Sequence, residues 1–471
     1  MKMLFCLLLA LCLTGALPAR AEGSGPLKLL DTALIEERFY RNPSNLFDIG
    51  DPHILPANGR YYAFATGGTV GYNVWQSDDL RSWGSKQKAL RKVEWGAGDY
   101  WAPEVYPYQG RYVMLFSVRD KATKSLRIGI AFADEPQGPY EDPLKKPLFD
   151  AGYAVIDASL FVDEGVPYLY YVRDCSENVV NGRHESHVYG VRLSDDLLSF
   201  AGEPVELTRP EQPWELDEGE WVWNEGPVVV KHQGRYYLYY SAHFFADPYY
   251  SVGVAVSDSP LGPFLKQQDN PLLAPLFEGE KSVISGPGHN SFFTAGEELF
   301  TSYHTHKYPQ APSGNRQLNV DRAGFHQDGT AYINGPTLEK QLRPLSDLGL
   351  VNAAPRAKIT VSSGDGRLLS DGDFGIRSAD YSFLPGEGGF AEFSFESPVS
   401  SDLLMIYPAF GTQGTLKLFV NGEEVGSYAF EKDRLPGAAL ILHYEKAEIV
   451  SLRVELSGGL GLSEIVVTGD K

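Results

Sequence analysis

Short runs of aromatic and β-branched residues, each closed by a glycine or proline turn, recur along the first two thirds of the chain. Tyr236-Tyr237-Leu238-Tyr239-Tyr240 and Val113-Met114-Leu115-Phe116 are apolar throughout, so the strands they predict must be covered on both faces. Five such units follow one another: Asp51 to Phe64, Glu104 to Val118, Asp157 to Val172, Glu225 to Ala242 and Gly288 to His304. Each is followed by a second strand pair with its own marker, such as Ser77-Asp78-Asp79-Leu80 or Gly138-Pro139-Tyr140. Five consecutive four-stranded units of roughly sixty residues predict an all-β fold, a five-bladed β-propeller. Tyrosine pairs then fill the space between blades, with their hydroxyls bonded at the edges.

The pattern changes near Val351. Shorter alternating strands take over at Ala357 to Val361, Phe390 to Phe395, Leu403 to Tyr407, Leu416 to Val420, Glu448 to Leu456 and Ser463 to Val467. Asn421-Gly422 marks a hairpin between two of them. The prediction is a propeller over residues 30–345 and a smaller, jelly-roll-like β-sandwich over 351–471. The linker Pro344 to Pro355 is short and carries Leu348, Leu350 and Val351, which predicts docked domains.

Composition narrows the partners. Residues 1–21 read as a secretory signal, with Lys2, the apolar stretch Leu4 to Leu13 and the cleavage motif Ala19-Arg20-Ala21. The expected location is therefore periplasmic or extracellular, with no membrane insertion, because that stretch is too short to span a bilayer. Cys6 and Cys12 leave with the signal and Cys175 stays alone, so no internal disulfide is expected. Removing Lys2 and Arg20 takes the net charge from −20 to −22, which disfavours nucleic acid and anionic lipid and suits a neutral ligand. Nothing in the sequence fixes the oligomeric state.

Asp51, Asp157 and Glu225 stand at equivalent places, each at the entry to the first strand of a unit. In a propeller the innermost strands line the central axis, which would bring the three together. Two carboxylates facing across a pocket can hydrolyse a glycosidic bond, one protonating the leaving oxygen and the other activating water or attacking carbon. A third would raise the acid's pKa by like-charge repulsion. Asp51 before proline and Asp157 at a strand entry are also ordinary turn residues, whereas Glu225 is not.

The segments Asp51-Pro52, Trp101-Ala102-Pro103-Glu104, Asp157-Ala158-Ser159-Leu160-Phe161 and Glu225-Gly226-Pro227 resemble glycoside hydrolase family 43, in order and in phase with the repeats over residues 45–335. The resemblance implies an inverting enzyme acting on α-L-arabinofuranosides or β-D-xylosides. It makes Asp51 the general base, Glu225 the general acid and Asp157 the residue that tunes and orients the acid. It also implies that Trp101 walls the sugar pocket and that Arg316 reaches a substrate hydroxyl and the acidic cluster. His289 resembles an axial histidine that members hold near a central metal, often calcium and usually through water, so the resemblance implies a structural calcium near His289, although one histidine is no ligand set for calcium. No cofactor is required for the chemistry. The terminal sandwich resembles the discoidin or galactose-binding-like group, through Leu369 to Asp373 and Ser463 to Val467, with a bracing role preferred over sugar binding. The expected activity is exo-acting release of terminal L-arabinofuranose from plant-type polysaccharide. β-Xylosidase, β-galactofuranosidase and a non-catalytic glycan-binding propeller are the alternatives. The loops Arg173 to Glu185 and Glu211 to Glu220 decide between a pocket and a groove.

Overall fold

The computed structural model describes residues 27–216 and 219–471; the signal segment with Cys6 and Cys12 lies outside the described residues. Five separate antiparallel sheets follow one another along the chain. Blade 1 comprises His53–Ala57, Arg60–Phe64, Gly71–Ser77 and Gln87–Arg91. Blade 2 has Gly96–Tyr108, Arg111–Asp120 and Leu126–Ala133, with Glu141 bridging to Phe132 where a fourth strand would lie. Blade 3 has Val155–Asp163, Val166–Arg173, His187–Arg192 and Val205–Thr208. Blade 4 has Glu225–His232, Arg235–Ala242, Ser251–Ser257 and Leu265–Lys266. Blade 5 has Gly288–Ala295, Glu298–His306, Arg316–Phe325 and Ala331–Ile333.

The tyrosine-rich second strands lie inside their blades, and Tyr171, Tyr237, Tyr239 and Tyr240 are fully buried. Blades adhere through continuous apolar clusters, such as Val113, Leu115, Ile128 and Ile130 of blade 2 against Val155, Leu160 and Leu169 of blade 3. The ring closes through the segment before blade 1, where Phe47 bridges to Gln317 and the Ser44 N–H donates to the Leu318 carbonyl at 2.9 Å, and through Ile54, Tyr61 and Ala63 of blade 1 packed on Phe293, Phe300, Leu318 and Val320 of blade 5. Asn42 ties the junction, its side-chain NH2 donating to the Val320 carbonyl at 2.8 Å.

The second domain is built on two long antiparallel strands, Phe390–Pro408 and Leu440–Ser457, each broken by bulges and so able to serve both halves of the sandwich. The sequence pattern, which resolves only their straight stretches, splits them into shorter pieces. Asn421 and Gly422 make the expected hairpin turn, with φ of 52° and 83°, joining Gly414–Val420 to Glu423–Phe430. The N-terminal segment, expected to open the propeller at residue 30, instead lies on this domain: Leu29 and Leu30 pair with Tyr444 and His443. The linker is ordered too, since Leu350–Asn352 adds a strand beside Leu462–Asp470. Between the domains Phe39 and Leu342 pack with Phe374, Leu403, Met405, Tyr407 and Val466.

Candidate active site

All five inner strands have a residue in the left-handed region at or just before the start of their regular ladder: Asp51, Ala102, Asp157, Gly226 and His289, with φ of 54°, 40°, 55°, 58° and 51°, and blade 2 adds Asp99 with φ of 55°. In blades 2 to 5 the ladder register slips at this point, a bulge that re-aims the side chain toward the axis. Four of the five are not glycine, and each such residue costs about 1–3 kcal/mol, a concentration of strain typical of functional sites. Repetition of this kink explains how carboxylates a hundred residues apart in sequence meet.

Contacts join them directly. Asp157 Oδ2 accepts from the backbone N–H of Gly226 at 3.1 Å, immediately after Glu225. The His289 ring lies against Gly226, where a Cβ would sit 3.3 Å from it, and its Nδ1 is 3.3 Å from Asp51 Oδ1. Arg316, at the start of the third strand of blade 5, places Nη1 2.7 Å from the same oxygen. The Arg316 guanidinium passes over Gly50, where any Cβ would stand 2.0 Å from it, and lies 4.8 Å from the centre of Phe245. Trp101 is half-buried and packs against the apolar cluster that joins blade 3 to blades 2 and 4.

Several neighbours have no signature in the sequence. Thr66 donates to Asp51 Oδ2 while its own oxygen accepts from the Ala102 N–H. Tyr250 donates to Glu225 Oε1 at 2.7 Å and stacks on His304, whose Nδ1 accepts from the Asp51 N–H. Ser117 Oγ accepts from the Asp157 N–H at 2.9 Å. These side chains come from second or third strands and cross-blade loops, so only the folded ring brings them in.

The three carboxyls are buried alike but held differently. Burial acts to raise Asp51, yet the Arg316 guanidinium, aided by His289, His304 and Thr66, outweighs it and holds that carboxyl far below its ordinary range. Asp157 is pushed up to about 6, first by burial and then by the charge of Asp51, against the pull of His289. Glu225 is raised well above the usual carboxylate range, with burial the larger cause and Asp157 the second. Like-charge repulsion, the cause expected from the sequence, thus ranks behind desolvation. The result is one firmly ionised carboxylate and one carboxyl that keeps its proton, the division of labour that acid–base chemistry needs.

The side chains around His289 do not by themselves make a calcium site. Asp51, the carboxylate it touches, is already engaged by Arg316 and Thr66. Among the described residues no group of three or more His, Cys, Asp or Glu side chains could hold a metal ion, and calcium takes six to eight oxygens. His289 acts here as a bridge between the strand entries of blades 4 and 5 and Asp51.

A five-bladed propeller with a polarised trio of carboxyls at one end of its axis defines a glycosidase scaffold. The model of glycosyl hydrolases family 43 matches residues 40–331, and the chain belongs to that family and is a glycoside hydrolase. It is 28% identical over 317 residues to the β-D-galactofuranosidase xynD of Aspergillus niger, covering 61% of this chain and 83% of that one. It is 29% identical over 297 residues to an extracellular exo-α-(1→5)-L-arabinofuranosidase of Streptomyces chartreusis, covering 58% and 84%. Among solved structures, a thermostable family-43 glycoside hydrolase superposes with a TM-score of 0.62 at 45% identity, over 65% of this chain and 99% of that one.

Proposed function

We propose that this protein is an exported, inverting, exo-acting glycosidase that releases a terminal pentofuranose, foremost α-L-arabinofuranose, from a neutral plant-type polysaccharide. The observation that carries the mechanism is the split between Asp51, held ionised by Arg316, and Glu225, held protonated by burial and by Asp157. Glu225 gives its proton to the leaving oxygen as the glycosidic bond breaks. Asp51 takes a proton from a water that attacks the anomeric carbon on the opposite face, so the configuration inverts. Asp157 fixes the strand entry beside Glu225 through the Gly226 N–H and adds the neighbouring charge. Arg316 and Trp101 supply polar and apolar walls for the sugar.

The arabinofuranosidase among the relatives supports the sugar, and the galactofuranosidase supports the alternative of a hexofuranose in the same site. Export rests on residues 1–21 and on the extracellular relative; among the described residues no helix is long and apolar enough to cross a membrane. Aryl α-L-arabinofuranoside, β-D-xyloside and β-D-galactofuranoside, assayed side by side with proton NMR of the first-formed sugar, test the reading. Fastest release from the arabinofuranoside with inversion is expected. A retained anomer would remove the mechanism, and preference for another glycoside would replace the sugar.

A further inference from the structure

Among the described residues the propeller exposes six large aromatic side chains: Phe47, Trp221, Phe244, Tyr249, Phe277 and Tyr308, between 36% and 55% exposed. All six lie at one end. Phe47, Trp221 and Phe277 are on connections that lead into inner strands, and Phe244, Tyr249 and Tyr308 are on loops between second and third strands. In this topology both kinds of connection share the end at which Asp51, Asp157 and Glu225 enter their strands. None of the hairpins at the opposite end exposes an aromatic ring among the described residues.

They are also confined to one half of the rim, on the loops of blades 4 and 5 and the entry to blade 1. Contacts tie them into four local groups spread as a crescent along that half of the rim. Lys307 Nζ lies 4.6 Å from the centre of the Phe47 ring and 5.7 Å from that of Tyr308, bridging the two. Tyr249 and Phe277 pack with centroids 5.6 Å apart. Phe244 packs on Phe245, the ring beneath Arg316, and on Trp223, two residues before Glu225. Trp221 is stacked on His184 at 3.7 Å, which fixes its plane while 40% of it stays exposed. At its Phe244 group the crescent adjoins the pocket, through Phe245 beneath Arg316 and through Trp223.

We infer that this crescent is the binding surface for the leaving-group side of the substrate, a neutral polysaccharide chain lying across blades 4, 5 and 1 while its terminal sugar enters the pocket. Exposed aromatic rings gathered on one half of the rim beside a pocket mark an interaction site, and flat rings set in place by neighbours suit the apolar faces of pyranose or furanose rings. The strongly acidic chain disfavours a polyanionic polymer. Adjacency to the pocket favours substrate over an unrelated protein partner. The inference rests on the glycosidase reading above and extends it from one sugar to the polymer that carries it.

The test uses the full chain and a Tyr249→Ala/Tyr308→Ala double variant, with Trp221→Ala as a second probe. Substrates are the aryl α-L-arabinofuranoside, too short to reach the outer crescent, and branched arabinan, arabinoxylan and galactofuranan. Loss of two aromatic contacts should lower kcat/KM about tenfold on whichever polymer the wild type hydrolyses, mainly through KM. Turnover of the aryl glycoside should change less than about threefold, which also shows that the variant is folded. Equal polymer-to-aryl ratios in wild type and variants would overturn the crescent while leaving the glycosidase reading intact. A wild type that hydrolyses none of these substrates would overturn both. Conversion from dimer to monomer in the variants, with polymer turnover unchanged, would assign the crescent to contact between two copies instead.

Discussion

At the mouth of the propeller axis Asp157 and Glu225 are buried and, among the described residues, neither forms an ion pair, whereas at the seam between the domains half-buried charges meet their opposites. Arg38 reaches across the seam to clasp Asp402 with two hydrogen bonds of 2.9 and 2.8 Å. Arg322 pairs with Glu298 at 2.8 Å and donates to the Leu342 and Arg343 carbonyls. His326 of the propeller sits between two sandwich carboxylates, Asp371 and Asp373, each 3.4 Å away. Burying an unpaired carboxylate raises its pKa, to about 6 at Asp157, which still carries its charge at neutral pH, and well above the usual range at Glu225, which keeps its proton. A paired one stays charged and holds its geometry. The same carboxyl chemistry therefore gives a proton donor at one place and a clamp at the other, according to whether a cation is supplied. Glu464 is the exception at the seam: buried and raised well above the usual range, it accepts from the Gly372 N–H and the Asn352 amide, with no ion pair.

The largest effect should come from removing the proton donor. Glu225→Gln keeps the shape and the Tyr250 contact but cannot protonate a leaving oxygen, so hydrolysis of natural linkages should fall about 10³-fold. Aryl glycosides whose leaving group needs no proton should be largely spared, and equal loss on both would assign Glu225 another role. Next comes supplying the wrong balance at Asp51. Arg316→Met removes the cation that outweighs burial, which makes Asp51 resemble Asp157. Its pKa should rise, and since the base must be ionised, the acid limb of kcat/KM should move to higher pH with about 10²-fold loss at neutral pH. Loss of rate with an unmoved acid limb would leave Arg316 as a substrate contact only.

A smaller change tests the second cause acting on Glu225. Asp157→Asn removes a neighbouring charge while burial stays, so Glu225 should lose its proton at lower pH and the alkaline limb of kcat/KM should move down. The loss near neutral pH should be about tenfold, because the dominant cause, desolvation, is untouched. An unmoved alkaline limb would mean that Asp157 only anchors the Gly226 N–H.

Much of the ring and its carboxyl trio is legible in the residue pattern alone, for a physical reason. A propeller repeats one local instruction, so Asp51-Pro52, Asp157-Ala158 and Glu225-Gly226, each weak alone, become informative because they recur in phase with the strand repeats. The deeper site is not legible. Thr66, Tyr250 and His304 are ordinary residues on their own strands and become neighbours only when blades 1, 4 and 5 close on the axis. The order of causes at Glu225 is hidden as well, since burial is a property of the closed ring. The N-terminal segment escapes the pattern because two-residue pairing of Leu29–Leu30 with the sandwich has no periodicity to betray it.

The seam offers the smallest effect, and a sign that can be worked out. Burial acts to lower His326, but hydrogen bonding and charge from Asp371 and Asp373 outweigh it and push its pKa up to about 9. Its ring stacks on Tyr381 of the sandwich at 3.5 Å and packs on Tyr332, and Asp328 lies beyond, bonded to the Tyr381 hydroxyl. An unfolded histidine titrates near about 6.5. Below that pH both states carry the proton, and the folded protein keeps the full benefit of the pairing. Between about 6.5 and about 9 the unfolded chain is neutral while the folded one must still hold its proton, so the stabilisation drains away as pH rises. Discounted for the partly exposed carboxylates, it amounts to about 2 kcal/mol. His326→Gln keeps a polar side chain beside Tyr381 and removes the titration. The wild type should therefore melt a few degrees higher than the variant at pH 6, with the gap closing by pH 9, while turnover of an aryl glycoside at 25 °C stays the same in both. Melting curves that run parallel across that pH range would show that His326 braces the domains by stacking alone and that its charge contributes nothing to the clamp.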